Sequence, residues 1–177
     1  MAGLAAAFGS GAMTNAMAEI ADTDCIFIIG SNTTSSHPLV ATRVFRAQEK
    51  GARIIVADPR RIQIADRADI YASQNLGSDV ALLNGMMHAI LKNGWQDQAF
   101  IDERTEGFED FKKSIEGFSL DQAAEITGIE AETIEAMAKT YAQADKASIL
   151  YCMGITQHTT GVDNVKSLAN LAMLTGN

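Results

Sequence analysis

The sequence predicts an α/β domain built on a mainly parallel sheet. Apolar runs at residues 25–29, 53–57 and 148–153 are continuous rather than alternating, which is the pattern of strands buried on both faces. Segments with helical periodicity separate these runs, so strands and helices alternate along the chain. Glycine or an Asp-Pro turn follows each run: Gly30 after the first, Asp58-Pro59 after the second, Gly154 in the third.

The elements follow in order. Residues 1–19 are small and glycine-rich, with a helix expected over 14–20. After the first strand, residues 31–36 form a loop of small polar side chains. Pro38 suits the first turn of a helix whose apolar face is Leu39, Val40, Val44 and Ala47, and Gly51 ends it. With the strand at 53–57 this makes a β-loop-α-β unit, expected to be right-handed. A short helical stretch and a strand-like segment at 70–72 come next. Ser78 is the expected cap of a helix over 79–92, with Val80, Leu83, Met87, Ile90 and Leu91 inward. Residues 96–143 read as peripheral helices. The earlier ones are anchored by Phe100, Phe108, Phe111 and Phe118; the last, over 130–142, has Ile134, Met137, Ala138 and Tyr141 inward. The third long strand, a loop over 154–162 and a helix over 163–174 complete one domain spanning 1–177.

Composition narrows the function classes. With 47% apolar residues, the 177-residue chain can bury a sizeable core. A net charge of −8 disfavours nucleic acid or an anionic membrane as the main partner. It leaves room for a phosphate-bearing ligand held by backbone N–H groups and a few arginines. No apolar stretch approaches the roughly 18 residues of a membrane-spanning helix, so no membrane insertion is expected. Cys25 and Cys152 form no CxxC pair and lie in apolar runs, so both are expected to be core thiols in a reducing, cytoplasmic setting. His37, His88 and His158 have no metal-ligand spacing, and no nucleophile–base pair emerges. Neither a metal ligand nor a catalytic residue is therefore expected within these 177 residues. Met1 to Phe8 lacks the basic start of a signal peptide, and both ends read as cuts from a longer chain.

Ligands of open α/β sheets bind beyond the carboxyl ends of the strands, where strand order reverses. Four segments should meet there: Gly30 to His37, Asp58 to Arg61, Leu76 to Asp79 and Met153 to His158. The first offers Gly30, Ser31, Asn32, Ser35 and His37, either as donors to an anion or as a plain helix cap. In the second, Asp58 can accept from a ribose hydroxyl or a guanine edge. Pro59 stiffens the turn, and Arg60 can pair with a phosphate or with Asp58 itself. A simple Asp-Pro turn with a surface ion pair is the alternative. The third combines Gly77 with Ser78 and Asp79 at a helix start; the fourth offers Met153, Gly154 and Gln157. Neither GxGxxG nor a P-loop is present, which disfavours a nicotinamide-binding domain. Four such loops at one sheet edge suit an extended ligand such as a dinucleotide.

Seven stretches carry a family resemblance: GSGAMTN (9–15), SHP (36–38), GARIIVADPR (51–60), RTEGFE (104–109), EITGI (125–129), MGITQHTTGVDNV (153–165) and SLANLAMLTGN (167–177). Together they resemble the catalytic (alpha) subunit of formate dehydrogenases, within the molybdopterin oxidoreductase superfamily. The resemblance implies a three-layer αβα, Rossmann-like fold and two-electron oxidation of formate to carbon dioxide. It further implies a molybdenum or tungsten centre on two pyranopterin guanine dinucleotides, one of which this domain would grip. Asn32 and Ser35 would face that dinucleotide, Asp58 and Arg60 its guanosine end, and Gly77 to Asp79 its diphosphate region. Met153, Gly154 and Gln157 would lie nearer the pterin. The family's metal-binding cysteine or selenocysteine with its following histidine, and its iron–sulfur cysteines, have no counterpart here. The chain is thus expected to be inactive alone and to self-associate. Its expected partners are the remaining domains of a catalytic subunit and that subunit's electron-transfer subunits. A cofactor-free structural module of the same superfamily is the alternative.

Overall fold

The computed structural model describes residues 1–177. Four parallel strands, β1 (Cys25–Ile29), β2 (Arg53–Ala57), β3 (Ile70–Ala72) and β4 (Ala147–Tyr151), lie in the order β3-β2-β1-β4. Ile28 is in register with Val56 on one side and Leu150 on the other. The helices are α1 (Ala2–Phe8), α2 (Thr33–Ser36), α3 (Pro38–Glu49), α4 (Asp79–Asn93), α5 (Gln98–Arg104), α6 (Phe108–Glu116), α7 (Leu120–Thr127), α8 (Ala131–Ala142), α9 (Met153–Thr156) and α10 (Gly161–Thr175).

The period-two alternation of strand side chains divides the core in two. Ile26, Ile28, Ile54 and Val56 face α3 and two 3-10 turns, Glu19–Asp22 and Gln63–Arg67, where they meet Ile20, Val44, Ala47 and Ile64. Cys25, Phe27, Ile29, Ile55 and Ala57 face the larger helical layer built around α4, α8 and α10. Every β1 side chain is buried, which explains the unbroken apolar run. Each such residue stabilises the fold by about 1.5–3 kcal/mol of transfer free energy. Phe27 meets Tyr141 of α8 edge-on, with ring centroids 6.3 Å apart. The mainly parallel sheet expected from the alternation of elements, and the three-layer αβα arrangement that the resemblance implies, are the observed ones.

Several local expectations are corrected. No helix forms over 14–20. The Glu19 carboxylate instead accepts the Ala16 N–H at 3.0 Å, and only the 3-10 turn follows. The N-terminal helix is α1, which lies on α10 so closely that a Cβ on Gly3 would meet Val165 Cβ at 2.7 Å. Leu39 is 80% exposed, because α3 turns Ala41, Val44 and Ala47 to the sheet. Ser78 takes the N-cap position of α4 without capping it; its hydroxyl donates back to Asn75 O at 2.7 Å. The buried stripe of α4 is wider than predicted and includes Leu82, Met86 and Ala89, since α7, α8 and α10 all pack on this helix. β4 ends at Tyr151 and is an edge strand with half-buried side chains. Residues 153–156, expected as strand end and loop, form the short helix α9. Cys152 accordingly lies outside the core, whereas Cys25 is buried.

Candidate functional site

β1 leads into α3 on one face of the sheet, and its neighbour β4 leads into α10 on the other. The two chain paths diverge at the carboxyl ends, and a cleft of about 320 Å³ opens there. Gly30 and Gly154 form its floor. The Gly154 N–H donates to Gly30 O at 3.1 Å, and the Gly30 N–H donates to Ala57 O at 3.1 Å. Gly30 has φ +56°, and a Cβ on it would meet Gly154 C at 2.8 Å. A Cβ on Gly154 would meet Gly30 O at 2.5 Å. Only glycine at both positions lets the two turns close to this distance and leaves bare backbone facing the cleft.

Asp58 ends β2. It is 3% exposed, and its Oδ1 accepts the Arg60 N–H at 2.9 Å. The Arg60 Nε lies 3.7 Å from the same oxygen on a largely exposed side chain, a loose contact worth little in water. Asp58 Oδ2 has no donor within the protein, so this buried carboxylate keeps acceptor capacity toward the cleft. The Tyr71 hydroxyl donates to Asp58 O at 3.0 Å and holds the turn against β3. Beyond β3, the Gln74 Nε2 donates to Asp79 Oδ1 at 3.2 Å, and both side chains are buried in the cleft wall. At the rim, the His158 Nε2 lies 2.7 Å from Gly154 O. A carbonyl only accepts, so that nitrogen carries the hydrogen.

All four predicted segments reach this cleft. Gly30, Asn32, Asp58, Pro59, Arg60, Gly77, Asp79, Met153 and Gly154 line it. Five expected residues do not. The Ser31 hydroxyl is buried against Thr33 Oγ1 at 2.9 Å, and that of Ser78 is used on Asn75. Ser35 and Gln157 are exposed outside the lining. His37 sits outside it too, its Nε2 3.7 Å from Cys152 Sγ. Gly77 to Asp79 lie beside β3, two strands from the Gly30 turn rather than next to it. The sequence reading missed Ser36, Gln74, Asn75 and Cys152 as lining residues. Gln74 and Asn75 were detectable in principle, since they lie two and three residues past the end of β3, but a three-residue strand is a faint signal. A larger groove of about 490 Å³ opens between α3 and the turn at Gln63–Arg67. It shares no lining residue with the cleft and has no glycine backbone, so the strand-end cleft is the better-equipped site.

Sheet order, diverging connections and glycine-floored cleft together define an open parallel α/β domain with a cleft across its strand ends. The chain belongs to the molybdopterin oxidoreductase family, whose family model matches residues 3–177. It is 54% identical over 175 residues to F420-dependent formate dehydrogenase 1 subunit alpha of Methanococcus maripaludis, covering 99% of this chain and 26% of that protein. It is 48% identical over 177 residues to formate dehydrogenase H of Escherichia coli, covering 100% of this chain and 25% of that one. Acetylene hydratase from Pelobacter acetylenicus superposes with a TM-score of 0.85 at 30% identity, over 90% of this chain and 22% of the other. The chain thus spans about a quarter of the length of the curated relatives it matches.

Proposed function

We propose that this chain is the layer of a formate-dehydrogenase-type molybdopterin oxidoreductase that grips one guanine-dinucleotide arm of a bis-pyranopterin cofactor carrying molybdenum or tungsten. The observation that carries this reading is the Gly30–Gly154 contact at the cleft floor, continuous with the half-satisfied carboxylate of Asp58. The residues present suit such a group: bare backbone where a diphosphate must approach closely, and a buried acceptor one strand further on.

When bound, the cofactor supplies the two-electron chemistry of formate oxidation. The chain supplies grip and orientation. The backbone N–H groups of Ser31 and Asn32, with the Ser36 hydroxyl, meet the diphosphate. Asp58 accepts from a ribose hydroxyl in a turn stiffened by Pro59, and the exposed guanidinium of Arg60 exchanges its loose contact with Asp58 for a phosphate oxygen. Gly77 and Asp79, at the far end of the cleft, belong to the guanosine side of this arrangement, while Met153 and Gly154 belong to the pterin side. The partners on this reading are the rest of a catalytic subunit and its electron-transfer subunits. The 177-residue chain is expected to bind without oxidising formate, because the metal ligands and the grip on the second arm lie in that remainder.

Calorimetric titration of GDP into the purified chain, repeated with Asp58→Ala, tests the reading. Saturable binding is expected, about tenfold weaker in the variant, as for loss of one hydrogen bond worth ~1.4 kcal/mol. Equal affinity in both proteins would remove Asp58 from the site. No binding to the wild-type chain would favour a cofactor-free structural module.

A further inference from the structure

A cysteine and a histidine 115 residues apart in sequence meet at the edge of the cleft. Cys152 follows directly on β4, is half-buried and lines the cleft beside Gly154. The His37 Nε2 lies 3.7 Å from its Sγ, within hydrogen-bond reach for sulfur. The His37 ring makes no other hydrogen bond in the protein and does not cap α3, although His37 holds the N-cap position. Its backbone is pinned on both sides. The His37 N–H donates to Thr33 O at 2.9 Å, and its carbonyl accepts the Ala41 N–H at 3.0 Å. Pro38 further restricts the residue before it. Across the gap, Cys152 O accepts the Ile155 N–H at 3.0 Å. The two side chains therefore face each other from fixed backbone on two different strand exits.

A solvent-accessible thiol beside an imidazole is the arrangement that makes a cysteine nucleophilic. A metal site would need more ligands, and no third His, Cys, Asp or Glu joins this pair. Cys25 offers the contrast within the same chain, being 0% exposed inside the sheet.

We propose that Cys152 is a thiol-modification site, with His37 as its base, and that it takes up one half of a low-molecular-weight disulfide. The Cys152 sulfur attacks one sulfur of the disulfide, and a new S–S bond forms as the old one breaks. The thiol proton passes to His37 Nε2 and from there to the departing thiolate, which leaves as a thiol. Nε2 must be free to accept it, so the ring hydrogen sits on Nδ1. The disulfide is the oxidant, and no other co-reactant is needed. A group bonded to Cys152 enters the cleft of about 320 Å³ above the Gly30–Gly154 contact. A glutathionyl group there is bulky and anionic, and opposes a diphosphate by both size and charge. That consequence rests on the dinucleotide reading above; the thiol chemistry does not.

Glutathione disulfide is the probe, and the folded 177-residue chain is the target. Intact-mass spectrometry with peptide mapping is expected to find one glutathionyl group, on Cys152, and none on Cys25. His37→Ala and His37→Gln are expected to slow the reaction about tenfold; glutamine keeps bulk and hydrogen bonding but takes no proton. The glutamine variant carries the comparison if melting shows the alanine variant unfolded. Modification of Cys25 first, or an unchanged rate in both His37 variants, overturns the assignment. Calorimetry is expected to show GDP binding about tenfold weaker after modification, restored by a dithiol reductant, and no effect of the same treatment on Cys152→Ser. A modified chain that binds GDP as before overturns the blocking of the cleft. An untreated chain that binds no GDP overturns the dinucleotide reading, and the labelling rates then decide the modification site by themselves.

Discussion

At the scale of single residues, the cleft depends on two absent side chains. Gly30 has left-handed backbone as well as no room for a Cβ, and Gly154 has no room alone. Gly30→Ala and Gly154→Ala should each lower stability by about 1–3 kcal/mol, Gly30 more, because it adds backbone strain to the clash. Urea denaturation measures this, and an unchanged midpoint for Gly30→Ala would contradict the close approach. The two thiols should separate as sharply. Burial pushes the Cys25 thiol from about 9 up to about 12, whereas Cys152 is half-buried at the cleft. Near pH 8 one thiol per chain should react quickly with a chromogenic disulfide, and two only after unfolding. The same shift sets a pH dependence. The folded chain holds the Cys25 proton more tightly than the unfolded chain does. Its contribution is therefore whole below about pH 9 and declines as pH rises toward 12, by at most ~1.4 kcal/mol per pH unit. Burial also raises the Tyr141 phenol, which adds to the alkaline loss. Cys25→Ala should flatten the stability curve above pH 9. Gly30, Asp58 and Gly154 were legible in the sequence because each follows a long apolar run. Gln74 was not, since the strand it follows is only three residues long and leaves a faint signal.

Elements were legible where one face is apolar and the other wet. The α8 helix buries the four residues its spacing picks out, Ile134, Met137, Ala138 and Tyr141. The α4 helix was harder, because a helix covered from several sides has no single stripe; Leu82, Met86 and Ala89 break the expected pattern by being buried too. At α3 the wrong boundary of the stripe put Leu39 inside, and at the start of the chain the signal for α1 is only a run of alanine and glycine that packs on α10. Contact between elements also rests on small residues. Gly85 of α4 faces Ala123 of α7, where an added Cβ would come within 2.6 Å. α7 is oriented for this contact by a capping box, in which the Ser119 hydroxyl accepts the Gln122 N–H at 3.2 Å and the Gln122 side chain accepts the Ser119 N–H at 2.9 Å. Ser119→Ala should cost about 1 kcal/mol, read as a lower denaturation midpoint. No change would mean that tertiary packing alone sets the start of α7.

For the whole molecule, the alternation of strands and helices was enough to predict a mainly parallel sheet and the resemblance added the three layers, but neither indicated the width of the helical layer around α4. Large apolar side chains remain exposed at and around the cleft, among them Leu76 and Met153, with Met13, Met17 and Leu39 elsewhere. Such surface favours association. Light scattering of the purified chain should give the mass of a dimer or larger species, and a clean 18.9 kDa monomer would contradict this.

The central claim is that four strand-end segments, far apart in sequence, make one dinucleotide cleft. Amide NMR of the isotopically labelled chain titrated with GDP tests it most directly. Saturable shifts should concentrate at Gly30 to Ser36, Asp58 to Arg60, Gln74 to Asp79 and Cys152 to His158, leaving α5, α6 and the outer face of α3 unchanged. Shifts clustered at the groove lined by Phe45 and Arg67, or spread without pattern over the surface, would contradict the account.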